Sequence, residues 1–150
     1  MADGKLGGKK VAILVTDGFE QVELLEPRKA LDQAGAETYV VSPKSDRVRG
    51  WNFTEWGQDL AVDVPLDRAR PEDFDALLLP GGVINPDTLR MDDKAISFVQ
   101  AFVDSGKPIA SICHGPWTLI ETGKVRGRRM ASWPSLQTDL ENAGVDWVDQ

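Results

Sequence analysis

The sequence predicts an α/β fold: a three-layer sandwich in which a mostly parallel sheet carries helices on both faces. Three observations lead there. First, short continuous apolar runs, VAILV at residues 11–15 and ALLL at 76–79, have the length of strands buried on both faces. Second, stretches of helical periodicity alternate with these runs, the pattern of a sheet covered by helices. Third, two of the runs end in turn chemistry, Pro80-Gly81-Gly82 and His114-Gly115-Pro116. Such turns at the C-terminal ends of strands are where open α/β sheets build their sites. At 150 residues the chain suits one domain with a sizeable core.

Each element follows in order. Residues 1–9 form a polar tail, expected to be mobile and lacking the apolar stretch of a signal peptide. Residues 10–16 are the first strand, broken by Asp17-Gly18. A helical segment reaches Ala34, with Val22, Leu25, Ala30, Leu31 and Ala34 apolar. Pro27 divides it, which predicts a turn up to Glu26 and a helix from Pro27 onward, closed by Gly35. A second strand at 37–42 completes a βαβ unit, whose crossover should be right-handed. Residues 43–58 read as loops around a short strand or hairpin, with Trp51, Phe53 and Trp56 covering a sheet edge or an interface. The alternation at 60–64 predicts a half-exposed strand, and 70–73 a turn. Asp92 should cap a helix that runs to Ser105 and buries Ala95, Ile96, Val99, Phe102 and Val103, with Gly106 as its stop. Then come a strand at 108–112, a helix at 116–122, a short strand at 129–132, an amphipathic helix at 134–142 and the start of a strand at 145–148.

Composition narrows the function classes. A net charge of −7 argues against a nucleic-acid or anionic-membrane surface. The one basic knot, Arg126-Gly127-Arg128-Arg129, reads as a solvated loop. A single Cys excludes an internal disulfide, offers no zinc set and fits a reducing cytoplasm. No apolar run approaches the roughly 20 residues that span a bilayer. There is no GxGxxG, Walker-type loop or His pair, so neither cofactor nor metal is expected.

The chemistry gathers at residues 107–118, KPIASICHGPWT. The strand ends on Cys113, His114-Gly115 turns the chain, and Pro116 opens a helix, where its fixed φ suits the first position. A nucleophile on such a strand-to-helix turn is lifted out of the sheet. A helix N-terminus beneath it should lower the thiol pKa. The alternative is a small core cysteine. The adjacency of the only Cys and the only His favours the chemical reading. Trp117, directly behind, reads as a packing residue.

Ala110-Ser111-Ile112-Cys113-His114-Gly115-Pro116 resembles the elbow of the ThiJ/PfpI superfamily, in its intracellular-protease-like and protein-deglycase branch. Four further stretches carry the resemblance in the right order: DGFEQVEL at 17–24, FDALLLPGG at 74–82, Ser132-Trp133-Pro134, and NAGVDWVD at 142–149. The resemblance implies a flavodoxin-like, class I glutamine-amidotransferase-like sheet. Members usually continue with a further strand and a closing helix, so the expectation is one domain over residues 10–150 without those elements.

The resemblance also distributes roles. Cys113 would be the nucleophile and His114 the acid and base. Glu23 would touch the sulfur in its protonated form, since a second anion there would repel the thiolate. Without the resemblance Glu23 is only a polar helix residue. Glu20 joins the same patch. Asp87 occupies the place of a carboxylate that, in relatives, reaches the His from a neighbouring subunit. Several relatives carry Glu there, and residues 83–86 read as a loop one residue longer; Asp87 also reads as a turn or cap residue. Gly81 and Gly82, with the His114 amide, resemble an oxyanion site, or else a plain strand-end turn.

The implied activity is a cysteine-dependent, cofactor-free hydrolase acting on methylglyoxal or on glycated protein, in a homodimer or higher homo-oligomer. A second reading is a redox-sensing or chaperone-like stress protein that uses oxidation of Cys113. A third is an intracellular peptidase, for which the sequence shows no peptide-specificity pocket.

Overall fold

A computed structural model describes residues 4–150. Its centre is a five-stranded, fully parallel sheet. In spatial order the strands are β6 (Val64–Pro65), β3 (Glu37–Ser42), β1 (Lys10–Leu14), β7 (Ala76–Leu79) and β8 (Ile109–Ser111). The remaining strands are β2 (Phe19–Glu20), β4 (Arg47–Asn52), β5 (Glu55–Ala61), β9 (Arg129–Met130) and β10 (Asp146–Trp147). The helices are α1 (Val22–Gln33), α2 (Ile84–Leu89), α3 (Asp93–Ser105), α4 (Pro116–Ile120) and α5 (Gln137–Asn142).

The two faces of the sheet follow from strand alternation. Along β1 and just beyond it, Val11, Ile13 and Val15 join Val40, Leu78 and Leu24 of α1 in one core cluster. Ala12, Leu14, Leu77 and Leu79 turn the other way, onto Ala95, Phe98, Val99 and Phe102 of α3, Leu119 of α4 and Leu140 of α5. Helices therefore cover both faces, and the α/β sandwich expected from the sequence is the fold. The cover is uneven. In β8, Ala110 lies in register with Leu78 on the α1 face, yet Ala110 and Ile112 are exposed. Strands β9 and β10 pair with each other in a separate two-stranded sheet.

Several local readings are corrected. Pro27 does not start a helix; it lies inside α1, which begins at Val22. Leu24 is fully buried and Leu25 and Leu31 pack against the same cluster. That burial holds the segment helical through Pro27, at the loss of one backbone hydrogen bond. The strand expected at 60–64 is split. Leu60 belongs to β5, and Val64 begins β6. Between them the Asp63 carboxylate accepts the Val40 N–H at 2.7 Å, and its own N–H donates to the Val40 carbonyl at 2.9 Å. Residues 83–86 are not a loop, because α2 starts at Ile84. The tail expectation falls partly on residues 1–3, outside the described residues. Over the rest of residues 1–9, 5–8 form turns, the Leu6 N–H donates to the Ala34 carbonyl at 2.9 Å, and Leu6 packs on the α1-side core.

Other readings stand. Asp92 caps α3, accepting the Lys94 and Ala95 N–H groups at 2.9 and 3.2 Å, and Gly106 ends it at φ 73°. The irregular stretch after Pro43 is a hairpin of β4 and β5, in which Trp51 pairs with Trp56 and Asn52 with Glu55. β4 also pairs with β2, so the hairpin is pinned to the chain just after β1. Among the described residues no helix is long and apolar enough to cross a membrane.

Candidate active site

β7 and β8 are parallel neighbours, with Leu79 in register with Ser111. Their C-terminal ends therefore deliver the Pro80-Gly81-Gly82 turn and Cys113 to the same place. Cys113 adopts φ 61°, a left-handed conformation that costs a non-glycine residue about 1–2 kcal/mol. The turn behind it needs glycine, since a Cβ on Gly115 would lie 2.7 Å from the Leu79 carbonyl oxygen and 2.6 Å from Ser111 Oγ. Gly81 is equally confined, because a Cβ there would meet Cys113 Cβ at 2.6 Å and Glu23 Oε1 at 2.7 Å.

Four groups converge on the sulfur. His114 Nδ1 lies 3.3 Å from Cys113 Sγ. The backbone N–H groups of Gly82 and His114 point to the same sulfur, and the Glu23 carboxyl shares a hydrogen bond with it. Glu23 is positioned by the first turn of α1 and by the Gly81 N–H, which donates to its Oε1 at 2.9 Å. Sequence reasoning placed both glycine amides on the oxyanion side. The structure commits the Gly81 amide to Glu23 and leaves Gly82 and His114 facing the sulfur.

Electrostatics corrects a second expectation. Burial pushes the Cys113 thiol up rather than down, and the neighbouring Glu23 charge adds to this, while the Gly82 and His114 amides pull the other way. The helix beneath, α4, is five residues long and contributes little field. Burial likewise raises Glu23, helped by the charge of Glu20, so its carboxyl holds its proton to a higher pH than an exposed carboxyl does. The two raised groups make a pair in which a carboxyl proton can be donated to a forming thiolate. Burial lowers His114, which favours the neutral imidazole, the form that can accept a proton.

His114 is 8% exposed and held by aromatic rings. The Trp117 ring meets it edge-on at 5.0 Å and the Trp133 ring stacks on it at 6.0 Å. Trp117 is itself fixed by its Nε1–H, which donates to Asp139 at 2.9 Å. Among the described residues no carboxylate bonds the His114 ring. Asp87 lies exposed on α2, its N–H bonded to the Val83 carbonyl, and is not brought to His114 within this chain. Glu20 is placed at the site's edge, where it accepts the Phe53 N–H at 3.0 Å.

A cavity of about 650 Å³ opens above Cys113, lined by Glu20, Glu23 and His114 below and by apolar side chains around. Sequence reasoning missed its walls. Trp51 and Phe53 come from the hairpin, Val22 from α1, Ile84 from α2, and Trp133 from the segment after β9. It also missed Asn85, which is fully buried. The Asn85 Nδ2 donates to the Pro80 and Gly81 carbonyls at 3.1 and 3.3 Å, and its Oδ1 accepts the Thr16 N–H at 2.8 Å. This strut ties the turn of β7 to the end of β1. The only available signal was an amide side chain four residues past Gly81, which local pattern does not distinguish from a turn residue. Among the described residues no three His, Cys, Asp or Glu side chains are grouped to hold a metal.

Comparison with known proteins agrees with this geometry. Residues 9–150 match the DJ-1/PfpI family. The chain is 43% identical over 140 residues to a protein named deglycase PH1704 from Pyrococcus horikoshii, covering 93% of this chain and 81% of that one. It is 42% identical over 144 residues to general stress protein 18 of Bacillus subtilis, covering 95% and 81% of the two chains. Among solved structures it is similar to an Anabaena variabilis two-domain protein with DJ-1/ThiJ/PfpI-like and ferritin-like domains. That likeness has a TM-score of 0.87 at 33% identity, over 95% of this chain and 40% of the other. The elbow, the Glu beside its sulfur and the match along nearly the whole sequence agree, and the chain belongs to the DJ-1/PfpI family.

Proposed function

We propose that the chain is a deglycase-type hydrolase in which Cys113 attacks reactive carbonyl compounds, either free α-oxoaldehydes such as methylglyoxal or their early adducts on protein. The observation that carries this reading is a strained cysteine whose sulfur meets His114 Nδ1 at 3.3 Å and shares a hydrogen bond with a carboxyl of raised pKa. Supporting it, the 43% identical relative bears the name deglycase.

In the proposed reaction His114 takes the thiol proton and Sγ bonds to the aldehyde carbon. The Gly82 and His114 N–H groups meet the developing oxyanion, which takes up a proton to give a hemithioacetal. With a free α-oxoaldehyde, His114 moves the proton from C1 to C2, leaving a thioester. Water then cleaves the C–S bond, releasing a 2-hydroxy acid and the thiol. The sum is one oxoaldehyde and one water to one hydroxy acid, with no external oxidant or reductant. With a hemiaminal adduct, Sγ displaces the protein amine, which leaves with a proton, and the same thioester follows. Asp87 enters this proposal as a carboxylate that a partner subunit would supply to His114 in a homodimer. Sedimentation of a fully active monomer would remove it.

The test is lactate formation from methylglyoxal by wild type and Cys113→Ser, followed past one equivalent, since a thiol adds to the aldehyde stoichiometrically. Many turnovers, abolished in the variant, are expected.

One arrangement supports a second reading. The Gly82 and His114 amides and the Glu23 carboxyl surround Sγ as they would surround the oxygens of an oxidised cysteine, which suits a redox sensor. The name general stress protein 18 of a 42% identical relative is in keeping with it.

A further inference from the structure

Among the described residues only two without a glycine's freedom hold positive φ: Cys113 at 61° and Phe53 at 59°. Both line the cavity above the sulfur. A left-handed residue at a hairpin tip is ordinarily Gly, Asn or Asp, and a bulky aromatic there is an outlier that points to a use. Phe53 is clamped in place. The Glu20 carboxylate accepts its N–H at 3.0 Å, and its carbonyl accepts the Trp51 Nε1–H at 2.9 Å. The clamp holds a ring that is 72% exposed, so core packing does not explain it. Trp133 is likewise 53% exposed and anchored, its N–H donating to the Cys113 carbonyl at 2.9 Å while its ring stacks on His114.

These two are part of a larger pattern. Among the described residues, five of the eight exposed large hydrophobic ones, Val22, Phe53, Val83, Ile84 and Trp133, line this one cavity. Contiguous exposed apolar surface marks a binding site. The cavity, at about 650 Å³, far exceeds a three-carbon oxoaldehyde. Its charged lining residues are Glu20 and Glu23, with no Lys or Arg, so it opposes anionic carbonyl compounds.

We propose that Phe53 and Trp133 form a recognition subsite for an uncharged aryl or extended alkyl group carried by the carbonyl compound that Cys113 attacks. This rests on the reading of Cys113 as a nucleophile toward carbonyls, and it narrows the substrate class from small oxoaldehydes to apolar ones.

The experiment compares phenylglyoxal (to mandelate, with one water added), methylglyoxal and 4-carboxyphenylglyoxal, an anionic α-oxoaldehyde that gives 4-carboxymandelate by the same route. Each kcat/KM is divided by that compound's rate with free glutathione. The normalised value for phenylglyoxal should exceed that for methylglyoxal by about tenfold, the scale on which apolar pockets discriminate. The carboxylated compound should fall below phenylglyoxal. Phe53→Gly, which suits the left-handed backbone and so folds, and Trp133→Ala should each bring the phenylglyoxal ratio toward one, and Phe53→Leu should keep part of it. A second arm does not need turnover: alkylation of Cys113 by N-benzyl iodoacetamide against iodoacetamide, normalised in the same way, in wild type and Phe53→Gly. If no oxoaldehyde turns over, the proposed reaction fails and the alkylation arm still decides the subsite. No aryl preference in wild type, or a preference that Phe53→Gly and Trp133→Ala leave unchanged, overturns the subsite and assigns the apolar rim to a protein partner. 4-Carboxyphenylglyoxal as fast as phenylglyoxal overturns the requirement for an uncharged group.

Discussion

Cys113 and Phe53 share a strained backbone, yet they come from opposite kinds of local structure. Cys113 follows β8, the edge strand of the parallel sheet, and its strain is enforced by neighbours that a short motif names, namely Gly115, Pro116 and the paired glycines after β7. Phe53 sits at the tip of an exposed hairpin, and its strain is enforced by Glu20, thirty-three residues away, and by the Trp51 indole. The comparison teaches that strain kept by local sequence is visible as a motif, whereas strain kept by tertiary hydrogen bonds is visible only in the fold. Both strained residues face one cavity, which argues that the strain at each serves the site.

The largest expected break in this comparison is at the elbow. His114→Ala removes the imidazole beside Sγ, the proposed proton carrier, and should lower turnover about 10²-fold or more. Peroxide oxidation of Cys113 should survive, because Glu23 and the Gly82 amide remain. Equal loss of both would contradict that division between His114 and Glu23. Next comes Gly81→Ala. Its Cβ would press on Cys113 Cβ at 2.6 Å and Glu23 Oε1 at 2.7 Å, so thermal unfolding should show a loss of about 1–3 kcal/mol. An unchanged melting temperature would mean that the turn yields.

The third test concerns charge. The rate of Cys113 alkylation against pH should inflect above the ordinary thiol value, because burial and Glu23 both oppose the thiolate. Glu23→Gln keeps a hydrogen-bond donor and removes the charge, so the inflection should move down. A fixed inflection would show that the Glu23 charge does not act on Cys113. The smallest effect is at the hairpin. Phe53→Gly relieves the left-handed strain at the expense of added chain freedom, and should raise stability by up to about 1 kcal/mol. A clear loss instead would show that the ring contributes packing, and would weaken the case that Phe53 is strained for function.

The same contrast explains what the sequence made legible. The strands β1 and β7 announce themselves as apolar runs, and α3 announces its start by Asp92 and its stop by Gly106, because capping and burial on both faces leave local traces. Cys113, His114 and the glycine turn were legible as one contiguous motif beside another. Glu23 was legible only through family resemblance, since its role depends on the Gly81 amide fifty-eight residues later. Pro27 misled because Leu24 and its neighbours outweigh a local helix signal. The direction of the Cys113 shift misled because a thiol's pKa follows burial, which no motif states. Trp51, Phe53 and Trp133 were visible as aromatics but not as walls, because two separate segments, the β4–β5 hairpin and the stretch after β9, must fold before they face one space.

The proposal for Cys113 is that it is a turning-over nucleophile rather than a reactive side chain. Its most direct test is lactate formed per protein molecule from methylglyoxal, for wild type and for Cys113→Ser with its fold verified. The expected result is many equivalents from wild type and none above the uncatalysed background from the variant. Consumption that stops at one equivalent in folded wild-type protein, or equal lactate from the variant, would contradict it.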